Sequence, residues 1–155
     1  ALAFVEDYKQ SNDIGQDHLR AITQNRQIEA MVDPQHLQQV VWNLVQNAIR
    51  YGREPGAVAR VVVVARMVSD KGPPVLEVVD RGPGIPAKVA ARIFDPFFTT
   101  SEYGTGLGLY LAKQMCESSQ ATLEYVPVAG GGACFRITLS ASATLPARPS
   151  LSEKA

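Results

Sequence analysis

One segment of this sequence, Asp33 to Gly52, constrains the fold most strongly because it predicts a long amphipathic helix. An aspartate followed by a proline is typical of a helix start, where the carboxylate caps free backbone amides and the proline occupies the first turn. Apolar residues then recur in one stripe at helical spacing, at Leu37, Val40, Val41, Leu44, Val45 and Ala48. A stripe of this width has to pack against a second layer.

Strand-like segments supply that second layer. Six of them have β-branched or alternating composition: His18–Gln24, Ile28–Val32, Val58–Val68, Val75–Val79, Thr122–Val126 and Cys134–Leu139. The turn-forming sequence SDKGPP predicts that the third and fourth form a hairpin, and VAGGGA is a turn between the last two. With helices also expected at Leu2–Lys9, Ala87–Ile93 and Gly106–Ser118, the order predicts an α+β fold. We expect a two-layer α/β sandwich whose mostly antiparallel sheet is covered on one face by helices.

Composition favours a single domain and excludes some partners. The 155 residues are 46% hydrophobic and 19% charged, which suits one compact domain, expected over residues 1–140 with a disordered tail at 141–155. Fifteen acidic and fifteen basic residues cancel, so no bulk field favours nucleic acid or an anionic membrane.

The two cysteines and the apolar runs bear on location. Cys116 and Cys134 lie far apart without metal-binding spacing, which favours buried free thiols and a cytoplasmic setting. No apolar run is long enough to cross a bilayer, and the first residues lack the features of a signal peptide. We therefore expect a soluble chain, and because it begins within a predicted helix, a fragment of a longer protein.

The helix predicted from Asp33 also carries polar residues. Asn43, Asn47 and Arg50 are spaced by four and three residues, so they share a face, predicted to lie opposite the apolar stripe. Two amide oxygens one turn apart can serve a hard cation such as Mg²⁺, and a cationic side chain beyond them can reach phosphates. For the helix taken alone, the solvated side of an amphipathic helix is the simpler explanation.

A strand-end carboxylate opens a glycine-rich turn. Asp80 closes VLEVVD and precedes RGPGIP, where Gly82 and Gly84 permit positive φ or a close approach of backbone to a ligand. A carboxylate there can accept a hydrogen bond from the exocyclic amine of adenine, whereas guanine presents a carbonyl at that edge and would leave it unpaired. An ordinary turn is the alternative.

The sequence GTGLGL, from Gly104 to Leu109, places three alternating glycines before a helix. Free amides at a helix N-terminus bind phosphate, although the spacing matches neither the dinucleotide fingerprint nor the P-loop. Between the two glycine-rich segments, FDPFF supplies three aromatic residues that we interpret as structural anchors. They belong to a long loop, Asp80 to Gly104, which we expect to act as a lid.

In this order the segments resemble the N, G1, F and G2 boxes of the catalytic ATP-binding domain of bacterial sensor histidine kinases. The resemblance runs from about Leu2 to Leu139, and FDPFFTT followed by GTGLGL is most similar to the nitrogen-regulating and pilus-regulating (NtrB/PilS-type) sensors. It implies a Bergerat-type (GHKL) fold that binds ATP with Mg²⁺ between the N-box helix and a flexible lid.

By matching positions, the resemblance implies roles for particular residues. Asn47 is the expected metal ligand, Asn43 lies near the phosphates and Asp80 reads adenine. Asn43, Asn47 and Arg50 are the expected catalytic residues. The set expected to bind the nucleotide is Asn43, Asn47, Arg50, Tyr51, Asp80, Gly82, Gly84, Ile85, Thr99, Thr100, Gly104, Thr105, Gly106, Leu107, Gly108 and Leu109.

Asn43 also bears on the reaction. Related ATPases of the gyrase, Hsp90 and MutL type carry a glutamate at this place to activate water. An amide cannot act as a general base, so the resemblance implies that the γ-phosphoryl group is kept for a histidine acceptor. Two other functions stay open: a gyrase-type ATPase or conformational clamp, and a non-catalytic nucleotide-binding module that regulates a partner.

The acceptor histidine is not expected in this chain. His18 and His36 are each followed by leucine rather than by the acidic residue of the acceptor motif, and we interpret both as surface residues. The resemblance implies an acceptor on the dimerisation domain of the parent kinase, a homodimer, and a response regulator as a second partner. It implies no direct contact of this domain with nucleic acid or membrane.

The lid departs from the similar sensors at one place. Ser101 and Glu102 follow FFTT where a lysine is common, so the phosphate contacts are expected to depend on Arg50. Lys88 and Arg92 could contribute if the lid folds inward, and a surface role is the alternative for both. We expect the lid to be mobile without nucleotide, because few apolar residues anchor it between positions 84 and 93.

Overall fold

The computed structural model describes residues 2–12, 18–24, 28, 30–53 and 55–141. Its helices are α1 (Leu2–Asn12), α2 (Pro34–Tyr51), α3 (Ala87–Ala90) and α4 (Gly108–Ser118). Its strands are β1 (Leu19–Thr23), β2 (Ala30–Met31), β3 (Val61–Met67), β4 (Pro74–Asp80), β5 (Thr122–Pro127), β6 (Ala133–Thr138) and β7 (Ser140–Ala141). The polar bend predicted around Asn25 and Arg26 lies outside the described residues, as does the predicted tail beyond Ala141.

Five strands form one open, mixed sheet in the order β1-β3-β4-β6-β5. Strand β1 runs parallel to β3, with Leu19 opposite Val61, and the other neighbours are antiparallel. The predicted hairpin of β3 and β4 is confirmed, and so is the α+β class with a mostly antiparallel sheet. The short strand β2 pairs with β7 in a separate two-stranded sheet.

The core lies between one face of the sheet and the helices. The stripe of α2 is buried as predicted, through Val40, Val41, Leu44, Val45 and Ala48. The strands contribute alternate residues to the same cluster, including Leu19, Val61, Val63, Leu76, Val78 and Ile137. Each fully buried side chain of this size stabilises the fold by about 1.5–3 kcal/mol. Within the described residues, no helix combines the length and apolarity needed to span a membrane.

Helix α2 begins and ends as its sequence predicts. The Asp33 carboxylate accepts hydrogen bonds from the backbone N–H groups of Gln35 at 2.8 Å and His36 at 3.2 Å. These two bonds, the one from His36 foremost, hold the pKa of Asp33 below its ordinary value. At the other end, the N–H of Gly52 donates to the carbonyl oxygen of Ala48 at 2.8 Å. The two caps define the first and last residues of α2 and so help to set the position of its polar residues relative to the sheet.

An ion cluster ties three strands together on the face of the sheet away from the helices. The Glu77 side chain, only 10% exposed, accepts two hydrogen bonds from Arg66 at 2.9 and 3.0 Å and one from Arg136 at 2.7 Å. Burial opposes ionisation of Glu77, but the hydrogen bonds and charges of the two guanidinium groups outweigh it and lower its pKa. The cluster therefore stabilises the register of β3, β4 and β6.

Several smaller predictions need correction. Helix α3 ends at Ala90 and continues as turns, rather than running to Ile93. Helix α4 begins at Gly108 rather than Gly106, because Gly106 has a φ of +69° that no helix accommodates. Neither histidine is fully exposed: His18 is half-buried, and His36, also half-buried, places Nδ1 3.3 Å from the hydroxyl of Ser119.

The two cysteines are buried free thiols, as predicted. Burial raises the pKa of Cys116 and of Cys134 to about 11 in each case. Both side chains are therefore uncharged at neutral pH and pack as small apolar groups.

Candidate functional site

A cavity of about 510 Å³ lies between α2, the end of β4 and the segment from Gly84 to Leu109. It is lined by all of the predicted nucleotide-binding residues except Asn43, Gly82 and Leu107. The remaining lining residues were not predicted and are all apolar: Ala48, Pro86, Val89, Ile93, Phe98, Ala133 and Phe135. The four sequence segments therefore converge on one cavity of the size usual for small-molecule sites.

Asp80, at the end of β4, lines this cavity. The side chain is buried, and its Oδ1 accepts the backbone N–H groups of Gly82 at 2.9 Å and Ala133 at 3.1 Å. Within the described part of the chain, Oδ2 accepts no hydrogen bond, so it is the oxygen available to a ligand. Burial raises the pKa of Asp80 above its ordinary value, although the two backbone hydrogen bonds oppose the shift.

Glycines allow backbone to close around Asp80. A Cβ on Gly52 would overlap Cγ of Asp80, and one on Gly82 would lie 2.5 Å from the carbonyl carbon of Gly52. Gly82 is buried behind the cavity, where it packs the turn against the end of α2. The glycine at position 52, which we had not predicted as part of the site, thus permits the helix end to touch the strand end.

Apolar side chains form the wall that faces the strand end. Phe135, almost fully buried, contacts Phe94 edge-to-face with ring centroids 6.3 Å apart. Ile85 and Val89 pack against the core, and Ile93 is buried within it. The expectation that few apolar residues anchor this part of the lid is therefore wrong. Apolar side chains beside a buried carboxylate suit an aromatic heterocycle that carries a hydrogen-bond donor.

The FDPFF segment is interlocked with the glycines that follow it. The N–H of Phe97 donates to the carbonyl oxygen of Gly106 at 2.9 Å, and a Cβ on Gly106 would overlap the backbone of Phe97. Phe94 and Phe98 pack against the core, as expected of structural anchors. Phe97 does not: it has a φ of +64° and its side chain is 75% exposed, so only two of the three aromatic residues anchor the loop.

The N-terminus of α4 faces the cavity without a cap. Leu107 precedes the helix and supplies no capping side chain, and the first helical bond runs from the N–H of Leu111 to the carbonyl oxygen of Leu107. The amides of the first turn, including those of Gly108 and Leu109, therefore lack helical partners. Apart from its chain neighbours and its own helix, no described residue has an atom within 4 Å of where a Cβ of Gly108 would be, so the backbone there is open to a ligand. This combination favours an anion.

The hydroxyl groups of the loop are engaged locally. Thr99 Oγ1 accepts the N–H of Ser101 at 3.0 Å, and Thr105 Oγ1 accepts the N–H of Leu107 at 3.4 Å. Both threonines, together with Thr100, line the cavity. Their hydrogen bonds shape the loop that leads into α4.

Of the three polar residues predicted to lie opposite the apolar stripe of α2, Arg50 is exposed, whereas Asn43 and Asn47 are half-buried because the helix also contacts α4 and the cavity. Asn47 is half-buried and lines the cavity, and the half-buried Asn43 donates from Nδ2 to the carbonyl oxygen of Gly108 over 3.5 Å. The helix therefore joins both ends of the site, from Asn43 beside α4 to Gly52 beside Asp80. This stretch is about 14 Å long at helical rise.

Arg50 is the one lysine or arginine among the described residues that line the cavity. Arg92 instead pairs with Asp95 at 3.3 Å and lies over the ring of Phe98, 4.5 Å from its centroid. Lys88 is exposed and is not among the lining residues. Neither Lys88 of α3 nor Arg92 of the following turn therefore supplies the positive charge that a lysine would bring to the loop at Ser101.

Comparison with known proteins gives this site a family. The model of histidine kinase-, DNA gyrase B- and HSP90-like ATPases matches residues 32–143. The chain belongs to this family, as its four sequence segments predicted. Among curated relatives, it is 46% identical over 113 residues to the sensor protein kinase PilS of Pseudomonas aeruginosa and 36% identical over 117 residues to the sensor histidine kinase ZraS of Escherichia coli O157:H7.

These matches cover 73% and 75% of this chain but only 21% and 24% of the two relatives, respectively. The chain thus spans about a quarter or less of the length of the sensor kinases it matches. The similarity to PilS agrees with the subgroup expected from FDPFFTT and GTGLGL.

Solved structures share the fold. The nucleotide-free catalytic domain of histidine kinase ThkA superposes with a TM-score of 0.73 at 24% identity, covering 90% of this chain and 91% of that one. Full-length ShkA in complex with AMPPNP gives 0.71 at 23% identity, over 90% of this chain and 30% of that one. ThkA in complex with the response regulator TrrA gives 0.68 at 23% identity, over 90% and 38%. At these identities the likeness establishes the fold alone.

Proposed function

We propose that this chain is the catalytic domain of a sensor histidine kinase, which binds ATP with Mg²⁺ in the cavity and donates the γ-phosphoryl group to a histidine of its parent protein. One observation carries the proposal: a single cavity has a buried carboxylate at one end and an uncapped helix N-terminus at the other. Asp80 is the only carboxylate among the described lining residues, and it lies at the end of β4. Among these lining residues, no acidic side chain at the α4 end is therefore placed to activate water.

The carboxylate end fits adenine. Oδ2 of Asp80 accepts from the exocyclic amine, while Oδ1 stays fixed by the amides of Gly82 and Ala133. The apolar walls at Ile85 and Phe135 cover the faces of the ring system. Guanine, with a carbonyl in place of the amine, would leave a buried carboxylate unpaired and is rejected.

The helix end fits phosphates. Free amides at Gly108 and Leu109, together with the positive end of the α4 dipole, bind the anionic chain. Arg50 supplies the positive charge that the loop lacks at Ser101. Between the two ends, the cavity beside α2 accommodates the ribose.

The donor set near the phosphates also fits a magnesium ion. Among the described residues, no three histidine, cysteine, aspartate or glutamate side chains cluster as a protein-only metal site would require. Mg²⁺ commonly takes one or two protein oxygens and fills its remaining positions with water and phosphate oxygens. The half-buried amide of Asn47, which lines the cavity, is the oxygen donor that would hold it. When bound, the ion would neutralise charge on the phosphates.

The transfer step needs little chemistry from the protein. The bond between the γ-phosphorus and the bridging β-γ oxygen breaks, a bond forms to an imidazole nitrogen, and ADP leaves with the electron pair. Catalysis of this kind consists mainly of positioning and charge stabilisation, which Arg50 and the α4 amides provide. Asn43, held against Gly108, places an amide where a general base would divert the phosphoryl group to water.

The partners belong to the proposal as well. The acceptor is a histidine on the dimerisation domain of the parent kinase, a homodimer, and a response regulator receives the phosphoryl group afterwards. The names of PilS and ZraS and the complex of ThkA with TrrA support these roles by analogy. We further propose that the ATP-binding domain spans residues 1–140 and works in the cytoplasm, where ATP is available and thiols such as Cys116 stay reduced.

One mixing experiment distinguishes the three functions left open by the sequence. The chain is incubated with the histidine-bearing segment of its parent, Mg²⁺ and ATP labelled at the γ-phosphate. We expect acid-labile label on the segment and little inorganic phosphate. Rapid release of phosphate without label would favour the ATPase, and bound ATP that neither transfers nor hydrolyses would favour the regulatory module. Either result would overturn the proposal.

A further inference from the structure

The glycine turn between β5 and β6 lies against Asp80, about fifty residues away in sequence. Gly132 has a φ of +94°, and a Cβ on it would overlap the carbonyl oxygen of Asp80. The next residue, Ala133, donates its N–H to Oδ1 of the same aspartate at 3.1 Å. The turn therefore contacts both the backbone and the side chain of Asp80.

A side chain at position 132 cannot be accommodated without moving one of these groups. The atoms it would meet are backbone atoms of Asp80 and Arg81, which belong to the end of β4 and cannot rotate away. A position with φ near +94° is also strained for any residue but glycine. Close approach here is what allows the amide of Ala133 to reach the carboxylate.

We propose that Gly132 is a positioning residue for base specificity: it lets the β5–β6 turn hold Asp80 so that Oδ2 points at the ligand. Two amides, from Gly82 on one side and Ala133 on the other, converge on Oδ1 and fix the rotation of the carboxylate. If the Ala133 amide withdraws, one hydrogen bond is lost and the carboxylate can turn away from an exocyclic amine. The phosphate end of the cavity, formed by α4, lies on other elements.

The inference rests on the proposed function, because it presupposes an adenine nucleotide in the cavity. The inference concerns the preference between two purine nucleotides, however, whereas the proposed function concerns whether a nucleotide binds at all. Loss of positioning should lower the preference for a purine that carries the exocyclic amine, whereas general weakening of the turn should affect all nucleotides alike.

The chain contains a matched control. Gly130, in the same turn, also has a positive φ, +85°, but apart from its chain neighbours no described residue has an atom within 4 Å of the position of its Cβ. Gly130→Ala therefore imposes similar backbone strain on the turn without touching Asp80. The comparison of Gly132→Ala with Gly130→Ala isolates the contact.

The test measures dissociation constants for ATP and for purine riboside 5′-triphosphate, which lacks the exocyclic amine. We expect the wild-type protein and Gly130→Ala to prefer ATP by about tenfold or more, and Gly132→Ala to prefer it by no more than about twofold. An unchanged preference in Gly132→Ala would overturn the inference. If the wild-type protein bound neither nucleotide, the proposed function itself would fail, so the two failures are distinguishable.

A second measurement needs no variant and tests the coupling of the β5–β6 turn to base recognition even if Gly132→Ala does not fold. In ¹⁵N-labelled wild-type protein, saturation with ATP should shift the amide resonance of Ala133 more than saturation with the purine analogue does, because only ATP engages the carboxylate that this amide holds. Equal shifts with the two nucleotides would overturn the inference.

Discussion

Asn43 donates a hydrogen bond from Nδ2 to the carbonyl oxygen of Gly108, over 3.5 Å, and so joins the middle of α2 to the first residue of α4. The contact places a neutral amide beside the helix N-terminus that we assign to the phosphates. Related hydrolytic ATPases of the gyrase, Hsp90 and MutL type carry a glutamate at this position. The hydrogen bond therefore places the residue that differs from these relatives next to Gly108, which lines the cavity.

Replacing Asn43 by glutamate should convert part of the donor activity into hydrolysis. A carboxylate cannot donate to the carbonyl of Gly108, so it would turn towards the cavity and accept a proton from water. We expect Asn43→Glu to release inorganic phosphate from ATP about 10²-fold faster than wild type, at the lower end of general-base effects. Asn43→Gln, of the same length but without a base, is the control. Equal rates for the two variants would contradict the role assigned to this position.

Removing the amide of Asn47 should weaken only the metal-dependent part of ATP binding. We expect Asn47→Ala to lower the affinity for ATP measured with Mg²⁺ about tenfold, or about 1.4 kcal/mol, and to leave the affinity measured in chelator unchanged. Isothermal titration calorimetry under the two conditions provides the comparison. Gln38→Ala, at an exposed position of the same helix, should change neither value. A loss of equal size in chelator would show that Asn47 acts without the metal.

Asp80→Asn should lose adenine affinity while keeping the fold. The amide oxygen can still accept the N–H groups of Gly82 and Ala133, but an NH₂ group would then face the exocyclic amine. We expect ATP affinity to fall about tenfold or more, with little change for purine riboside 5′-triphosphate. A similar loss for both nucleotides would argue against base recognition by this side chain.

The same variant has a defined effect on stability. Because burial raises the folded-state pKa of Asp80 above its ordinary 3.8, the fold loses stability as the pH rises from about 3.8 to that raised value, and the full cost of ionised Asp80 remains above it. Asp80→Asn removes this cost, so urea denaturation should find the variant at least as stable as wild type at pH 7. Its advantage should shrink as the pH falls through the folded-state pKa of Asp80.

Glu77→Gln should destabilise the sheet. The substitution leaves Arg66 and Arg136 without their shared carboxylate, and we expect a loss of about 2 kcal/mol in the free energy of unfolding at pH 7. The estimate is below the value for fully buried pairs because the two arginine side chains are 25% and 29% exposed. Glu124→Gln, which breaks only an exposed 3.6 Å pair with Arg136, should cost about 0.5 kcal/mol or less.

The pH dependence of Glu77 has the opposite sign to that of Asp80. Its folded-state pKa is lowered from 4.5, so its contribution is fully present above about pH 4.5 and is lost as the pH falls through the folded-state value. The difference in unfolding free energy between wild type and Glu77→Gln should therefore shrink on acidification. A difference that stays constant down to the acid transition would contradict the ion-pair account.

Local patterns predicted the elements better than they predicted the contacts between them. The Asp33–Pro34 start and the stripe of α2 depend on neighbours within a few residues, and the structure reproduces both. The parallel pairing of β1 with β3 and the approach of Gly132 to Asp80 depend on residues about forty or more positions apart. No local periodicity encodes such distances, so these contacts were missed.

The candidate site shows the same division. Residues of the four segments were predicted because glycine, amide and carboxylate side chains suggested phosphate and base binding, and because the order of the segments resembles the boxes of sensor histidine kinases. The apolar lining at Val89, Ile93 and Phe135 was missed because such residues look like ordinary core in sequence. Exposed Phe97 was misjudged for the reverse reason: nothing local distinguishes an aromatic residue that anchors a loop from one that faces solvent.

The most direct test of the central claim is a crystal structure of the chain with Mg²⁺ and a non-hydrolysable ATP analogue. The account predicts the exocyclic amine of adenine within hydrogen-bonding distance of Asp80 Oδ2, the phosphates at the amides of Gly108 and Leu109, and the metal on the amide oxygen of Asn47. A nucleotide bound elsewhere, or bound in this cavity with its phosphates at Asp80, would contradict it.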